Sequence, residues 1–486
     1  METKHYIALI GLLAMGCATT LITIFSQRLR DFVFFAMVAL AVLAERGSFD
    51  VNFLGEYWYR GTSRGLGISV IDVLALSVFI ASQLSPRYER RPWFIPASFL
   101  LYSAYFAYCI FSATRALEWT YAIWELVNIP RAMLIMVATA SFVRTSRELK
   151  LIVLGICVAV LIQAVYAVKQ RLTGMFRPAG TLDHANSLSM YLCLVSPVLL
   201  AAGLSNWSKL LRWFVLGCTA VASVTVLMTL SRAGLPIFAF VMFGTATMCI
   251  TWKITRRKIV VAAVVSLAVT VLLAKSWDML VIRFGSATIK EEFVDIEGEN
   301  RGIYWRWAKM IVDDDPFGVG LNNWSYAVSK TYGARVGFWY EDYDDIKVAP
   351  EKADIPSHRY APPAHALAAL TLGELGVPGL ILFLIVWFRW FQMGATFLWR
   401  RLNRDPMHRL AIGFLFGTGG IFLQSVTEWT YRQPTMFLTF HLMMGALASL
   451  VYERQLARKN RADDGGEKIF HIAGVDVGVS LMGARK

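Results

Sequence analysis

Thirteen apolar runs punctuate the chain, the first at about 5–25 and the last at about 434–452. A bilayer core about 30 Å thick is crossed by about 20 such residues, and only as a helix, which satisfies every backbone donor and acceptor within its own length. The runs lack the strict alternation of a membrane barrel. With 56% hydrophobic and 17% charged residues, too little polar surface exists to cover so much apolar matter in water. The expected fold is all-α, a polytopic integral membrane protein with 12 to 13 transmembrane helices. The run at 31–45 is short for a span, which leaves the count at two values. The first run lacks a basic leader and is followed by many more, so it reads as a helix rather than a signal peptide.

Four parts follow from the spacing of the runs: an N-terminal transmembrane bundle (1–275), a large polar loop with short helices (276–363), C-terminal transmembrane helices (364–452) and a tail with little assignable structure (453–486). The loop carries net charge −5 although the whole chain carries +14. The positive charges fall in every second connector, such as PRYERRP, RTSRELK, KITRRK and RRLNRDPMHR. The positive-inside rule puts these connectors in the cytoplasm without any nucleic-acid partner. The alternate set faces outward: EYWYRGTSRG, FRPAGTLDHAN, SRAG, the loop and EWTYRQP. Parity then places the C-terminus inside, and the N-terminus outside unless an early run fails to span. All six cysteines lie in apolar runs with no metal-ligand spacing.

The outward connectors carry the chemistry. Arg177 and Asn186 lie in a Pro/Gly turn just before a run, and Arg232 ends another at the outer interface, where it is either a snorkelling anchor or an anion ligand. In the loop, GENRGIYWRWAKMIVDDDPFGVGLNNW begins as a helix that puts Arg301 and Trp305 on one face and stops at DDDP. Guanidiniums grip phosphate oxygens through paired hydrogen bonds, so Arg232 and Arg301 are candidates for holding a pyrophosphate. His365 follows two prolines at the mouth of the next run, placed either as an interfacial cap or as a base taking a proton from a hydroxyl. His358 is a nearby competitor. The acidic clusters Asp313–Asp315 and Glu341–Asp345 are either solvated charges or ligands for a divalent cation. Glu125 and Arg131, inside a run, are either a structural ion pair or the lining of a polar path. No nucleotide-binding GxxxxGK[ST] pattern occurs.

Taken together in this order, these pieces resemble the bacterial O-antigen ligase and O-antigen polymerase superfamily. The ligases carry His, then Asn, Ser or Gln, nine residues, Gly, two residues, and Gly, Thr or Tyr. His365 through Gly379 fits except at Ala366, which removes an amide or hydroxyl beside the histidine. The SRxG ending at Arg232, the Arg/Trp segment followed by PxxGxG, and GTLDHAN are similar to three further family pieces, and the likeness spans about 175–450.

The resemblance implies an architecture like that of GT-C-type membrane glycosyltransferases in the bacterial inner membrane, with the site on the periplasmic face. It implies an undecaprenyl-pyrophosphate-linked glycan donor and an inverting transfer that needs neither metal nor other cofactor. The acceptor hydroxyl belongs to lipid A core, a second glycan or a protein. In that chemistry His365 is the base, Arg232, Arg301 and Arg177 hold the pyrophosphate, and Asn186 and Trp305 position donor or acceptor. Other readings remain: a transporter or flippase of lipid-linked sugars, for which no internal repeat speaks, and a protein O-glycosylating oligosaccharyltransferase.

Overall fold

A computed structural model describes residues 3–44, 50–56, 58–84, 95–250, 301–341, 343–344, 360–400, 403–463, 468–472 and 475–479, with isolated positions between 255 and 285. Its helices are α1 (Thr3–Phe25), α2 (Gln27–Leu40), α3 (Val70–Leu84), α4 (Phe99–Thr114), α5 (Trp119–Phe142), α6 (Ser146–Leu172) and α7 (Ala185–Gly203). They continue with α8 (Lys209–Thr229), α9 (Gly234–Cys249), α10 (Arg301–Asp314), the single turn α11 (Trp324–Ala327), α12 (Leu367–Ala395), α13 (Pro406–Ser425) and α14 (Pro434–Asp463). Among the described residues seven helices are long and apolar enough to cross a membrane: α1, α5, α6, α7, α8, α12 and α14. The fold is therefore mostly helical, as an all-α membrane protein requires. Seven is fewer than the expected 12 to 13, partly because α3, α4 and α9 are shorter apolar helices and α2 has only 14 residues. The run at 259–275 lies outside the described residues.

Two small hairpins depart from the helical expectation. β1 (Asp50–Gly55) pairs antiparallel with β2 (Gly65–Ser69) in the EYWYRGTSRG connector. β3 (Lys468–Ile472) pairs with β4 (Val475–Val479) in the tail. Both are cases of a short alternating pattern, DVNFLG and VDVGV, too brief to stand out beside 20-residue runs.

Close helix packing sets the relative height of the connectors. In lipid, apolar side chains gain little by associating, so helices approach through small residues that let backbones touch. On α13 a Cβ at Gly413 would lie 2.8 Å from Val198 Cα, one at Gly420 2.9 Å from the Cys193 carbonyl oxygen, and one at Gly417 would collide with the Leu194 carbonyl oxygen. As the α13 number rises the α7 number falls, so the two run antiparallel. The end of α13 meets the start of α7, where Gln424 Nε2 donates to the Asn186 carbonyl at 3.1 Å.

Glu125 and Arg131 do not pair with each other. Arg131 binds Asp72 on α3 through Nη2 at 2.8 Å and Nε at 2.9 Å, and Asn128 through Nη1 at 2.9 Å. Glu125 accepts from the Ser63 and Thr62 hydroxyls. Six residues of helix turn the two side chains well apart, so each serves a different neighbour.

Gly417→Leu is expected to lower thermal stability in detergent, with overpacking costing about 1–3 kcal/mol. Gly217→Leu on α8, where an added Cβ meets nothing within 4 Å, is expected to melt at or above the wild-type temperature. Equal melting of the two variants would show that α7 and α13 do not meet at Gly417.

Candidate functional site

The site begins with a break in α12. Gly376 has φ 65° and ψ −170°, in the left-handed region that glycine alone enters without strain. The break frees carbonyls that a continuous helix would have used, and three outside donors take them. Val319 N–H reaches Gly373 O at 2.9 Å, Gly320 N–H reaches Glu374 O at 2.9 Å, and the Tyr108 hydroxyl reaches Leu375 O at 2.7 Å. In return Val377 N–H donates to Pro316 O at 3.0 Å. The PFGVG turn manages this because Gly318 and Gly320 have φ of 79° and 100°. A side chain at Gly376 would strike Pro316 and Phe317. The two glycine patterns of the sequence, one after His365 and one after α10, are thus the two faces of one joint.

That joint brings α10 and the start of α12 together. Ile303, Tyr304, Trp307, Ala308 and Ile311 form the buried face of α10, and Arg301 continues this stripe at i−3 from Tyr304. Its side chain is only 18% exposed. His365 is fixed from behind, since Ala361 N–H donates to the Ser329 hydroxyl at 3.0 Å and Arg60 Nη1 donates to the Tyr360 carbonyl at 2.7 Å. Ala366 is the N-cap of α12 and supplies no side-chain cap. The amide or hydroxyl absent there is thus a helix-capping group.

Glu428, in the connector between α13 and α14, is the hub. Its Oε2 lies 3.0 Å from His365 Nδ1. Its Oε1 accepts from Arg301 Nη2 at 3.1 Å and from Asn186 Nδ2 at 2.6 Å. Arg301 Nε also donates to the Thr427 carbonyl at 2.9 Å. Asn186 Oδ1 accepts from Arg177 Nη2 at 2.6 Å, and Arg177 Nε donates to the Thr229 carbonyl at 3.1 Å. Thr229 ends α8, and the reversal that follows carries Arg232: Leu230 adopts φ 48°, and the Ser231 hydroxyl accepts from Gly234 N–H at 3.2 Å. Burial lowers the Arg177 pKa, with Glu428 opposing and Arg232 adding to the fall.

Burial works against the charge of Glu428, yet the His365 contact, Arg301 and Asn186 together hold its carboxyl below the ordinary carboxylate value. An ionised carboxylate only accepts hydrogen bonds. With Glu428 ionised, His365 Nδ1–H is the donor of this contact, and Nε2 is the ring nitrogen that the carboxylate does not engage. The His365 side chain is 39% exposed, against 4% for Glu428.

The structure thus joins Arg177, Asn186, Arg301 and His365 to Glu428, and Arg232 sits on the reversal that follows Thr229, the residue whose carbonyl Arg177 binds. Trp305 is 45% exposed, and among the described residues no hydrogen bond or ring contact joins it to the cluster. Tyr304 is the α10 aromatic whose ring lies 5.8 Å from that of His365. The acidic clusters are engaged elsewhere: Asp314 with Arg335 at 2.6 Å, Asp315 with Arg115 at 2.9 Å, and Asp344 with Lys330. His358, Asp342 and Asp345 lie outside the described residues. A cavity of about 440 Å³ between α3, α4 and α5 is lined mainly by apolar residues and by none of the candidates. Glu428 was missed in the sequence, where its one signal was a lone acid in the aromatic connector EWTYRQP.

No curated protein matches the chain. Residues 217–384 match the family model described as O-Antigen ligase, a stretch that contains Arg232, Arg301 and His365 and leaves Arg177, Asn186 and Glu428 outside. This is narrower than the 175–450 over which the motifs resemble the family. Over this stretch the chain is similar to the O-antigen ligase family, which supports the resemblance to the O-antigen ligase and polymerase superfamily.

Proposed function

We propose that the protein transfers a glycan from a lipid-linked pyrophosphate donor of the undecaprenyl type to a hydroxyl acceptor, with inversion and without a metal, on the periplasmic face of a bacterial inner membrane. The O-antigen ligase match supports a lipid-linked glycan ligase or polymerase in general. The observation that carries the finer reading is the pairing of an oriented imidazole with an excess of guanidinium charge. Arg177, Arg232 and Arg301 against Glu428 leave a net charge of about +2, which matches a pyrophosphate diester with both phosphates ionised.

The step balances with these groups alone. His365 Nε2 takes the proton of the acceptor hydroxyl while its oxygen forms a bond to the anomeric carbon. The bond from that carbon to the phosphate oxygen breaks, and the electron pair leaves on pyrophosphate. The arginines stabilise that developing charge, the usual source of most of the rate gain in such a site. Glu428 orients the ring and steadies the imidazolium that forms, as the buried carboxylate does in a hydrolase triad. Asn186 relays between Arg177 and Glu428 and so fixes one arginine of the clamp.

With purified protein and a lipid pyrophosphate glycan, His365→Ala is expected to lower kcat about 10²–10⁴-fold, and unchanged turnover in a folded variant refutes the base. Arg232→Lys keeps charge but loses the fork and is expected to raise the donor KM; an unaltered KM removes Arg232 from the clamp. Turnover is expected to survive EDTA, and loss restored by Mg²⁺ would point to the acidic clusters.

The depressed Glu428 pKa gives a pH signature. A carboxylate whose folded pKa lies below its unfolded value of 4.5 stabilises fully above that value and loses the contribution as pH falls through the folded pKa. The excess in melting temperature of wild type over Glu428→Gln is therefore expected to shrink as pH falls below about 5. An excess that grows below about pH 5 contradicts the assignment.

A further inference from the structure

A second cross-link joins the two segments that meet at His365 and Glu428. Glu374, nine residues after His365 on the first half of α12, pairs with Arg432, four residues after Glu428. The two side chains are 1% and 5% exposed. The backbone of Asn322 also lies beside the Glu374 carboxylate. Asn322 has φ 55°, and its side chain accepts from Thr62 N–H at 2.9 Å and donates to the Tyr121 carbonyl at 2.8 Å. One carboxylate thereby ties together the turn after α10, α12 and the connector after α13. Glu125 of α5 lines a small cavity with Arg432.

An ion pair removed this far from water contributes little net stability, because desolvation takes back most of the attraction, and apolar residues of similar volume hold segments together as well. What it supplies that an apolar contact lacks is register, since a charge at either end tolerates only one partner position. Register is what the site above it requires. A slip of α12 by one residue moves it about 1.5 Å along its axis, enough to break the 3.0 Å contact of His365 with Glu428. We propose that Glu374 and Arg432 are positioning residues that set the height of His365 against Glu428 and Arg301. This rests on the reading of His365 as the base.

The test compares Glu374→Leu/Arg432→Met, Glu374→Gln, His365→Ala and His365→Ala/Glu374→Gln, each purified and assayed with lipid pyrophosphate glycan for melting temperature, kcat and donor KM. The apolar double variant is expected to melt near wild type while its kcat falls about 10²-fold, the loss that follows from about 1 Å of misplacement. Its donor KM is expected to hold, because the arginines remain. A double variant with wild-type melting and wild-type kcat overturns the proposal. Should that variant not fold, Glu374→Gln carries the test, with reduced kcat expected at unchanged KM and wild-type kcat overturning it. In the His365→Ala background Glu374→Gln is expected to add no further loss, whereas losses that multiply would mean Glu374 acts independently of the base and would also overturn it. Wild-type turnover in His365→Ala refutes the base itself. An inactive His365→Ala beside a fully active apolar double variant refutes the register alone.

Discussion

A helix interrupted among apolar neighbours must find partners for the carbonyls it frees, and this requirement at Gly376 organises the structure around it. Unsatisfied backbone groups cost several kcal/mol each where water is absent, so the break in α12 persists only with donors beside it. The turn at 316–320 provides two through Val319 and Gly320, and Tyr108 of α4 provides the third. The same bonds draw α10 onto the bundle. Arg301, at one end of α10, and His365, before the first half of α12, thereby become neighbours although 64 positions separate them. The glycines at 318, 320 and 376 act on the site through geometry alone.

The charges are arranged in two tiers that share segments. In the upper tier Glu428 receives His365, Arg301 and Asn186 and is itself almost fully buried. In the lower tier Glu374 receives Arg432 beside the backbone of Asn322. Each tier places an acid where separate segments meet. Apolar contacts there tolerate sliding, and hydrogen bonds to a carboxylate do not. Packing of α7 on α13 through Gly413, Gly417 and Gly420 sets the height of Asn186 and so completes the upper tier.

Much of this was legible in the chain itself, and the reasons for success and failure are physical. Apolar runs gave helices because their length and composition leave a buried backbone no alternative. The helix from Arg301 to DDDP was visible in its spacing, and Arg301 and His365 stood out as candidates because charged groups beside long apolar runs are costly and therefore conspicuous. Glu428 and the partners of Glu125 and Arg131 were not visible. Each depends on which helices stand side by side, and periodicity along one helix says nothing about its neighbours. Arg131 found Asp72 on α3, 59 positions away. Helical spacing puts Trp305 near Arg301 at i+4 and Tyr304 at i+3, and it is Tyr304 that is buried, with its ring 5.8 Å from that of His365, while Trp305 is 45% exposed. The hairpin at 50–69 escaped because five or six alternating residues carry little signal between spans.

The buried Glu428 carboxylate has a bearing on which lipids the site would admit. Three guanidiniums without a resident anion would attract any acidic headgroup in the surrounding bilayer, and a phosphodiester lipid could occupy them permanently. With one guanidinium equivalent already neutralised from within, a singly charged head leaves residual positive charge unmet, whereas a doubly charged one meets it. On the proposed reading of the arginines as a pyrophosphate clamp, Glu428 would set a threshold on ligand charge, favouring a doubly charged head over a singly charged one without any contact to the sugar.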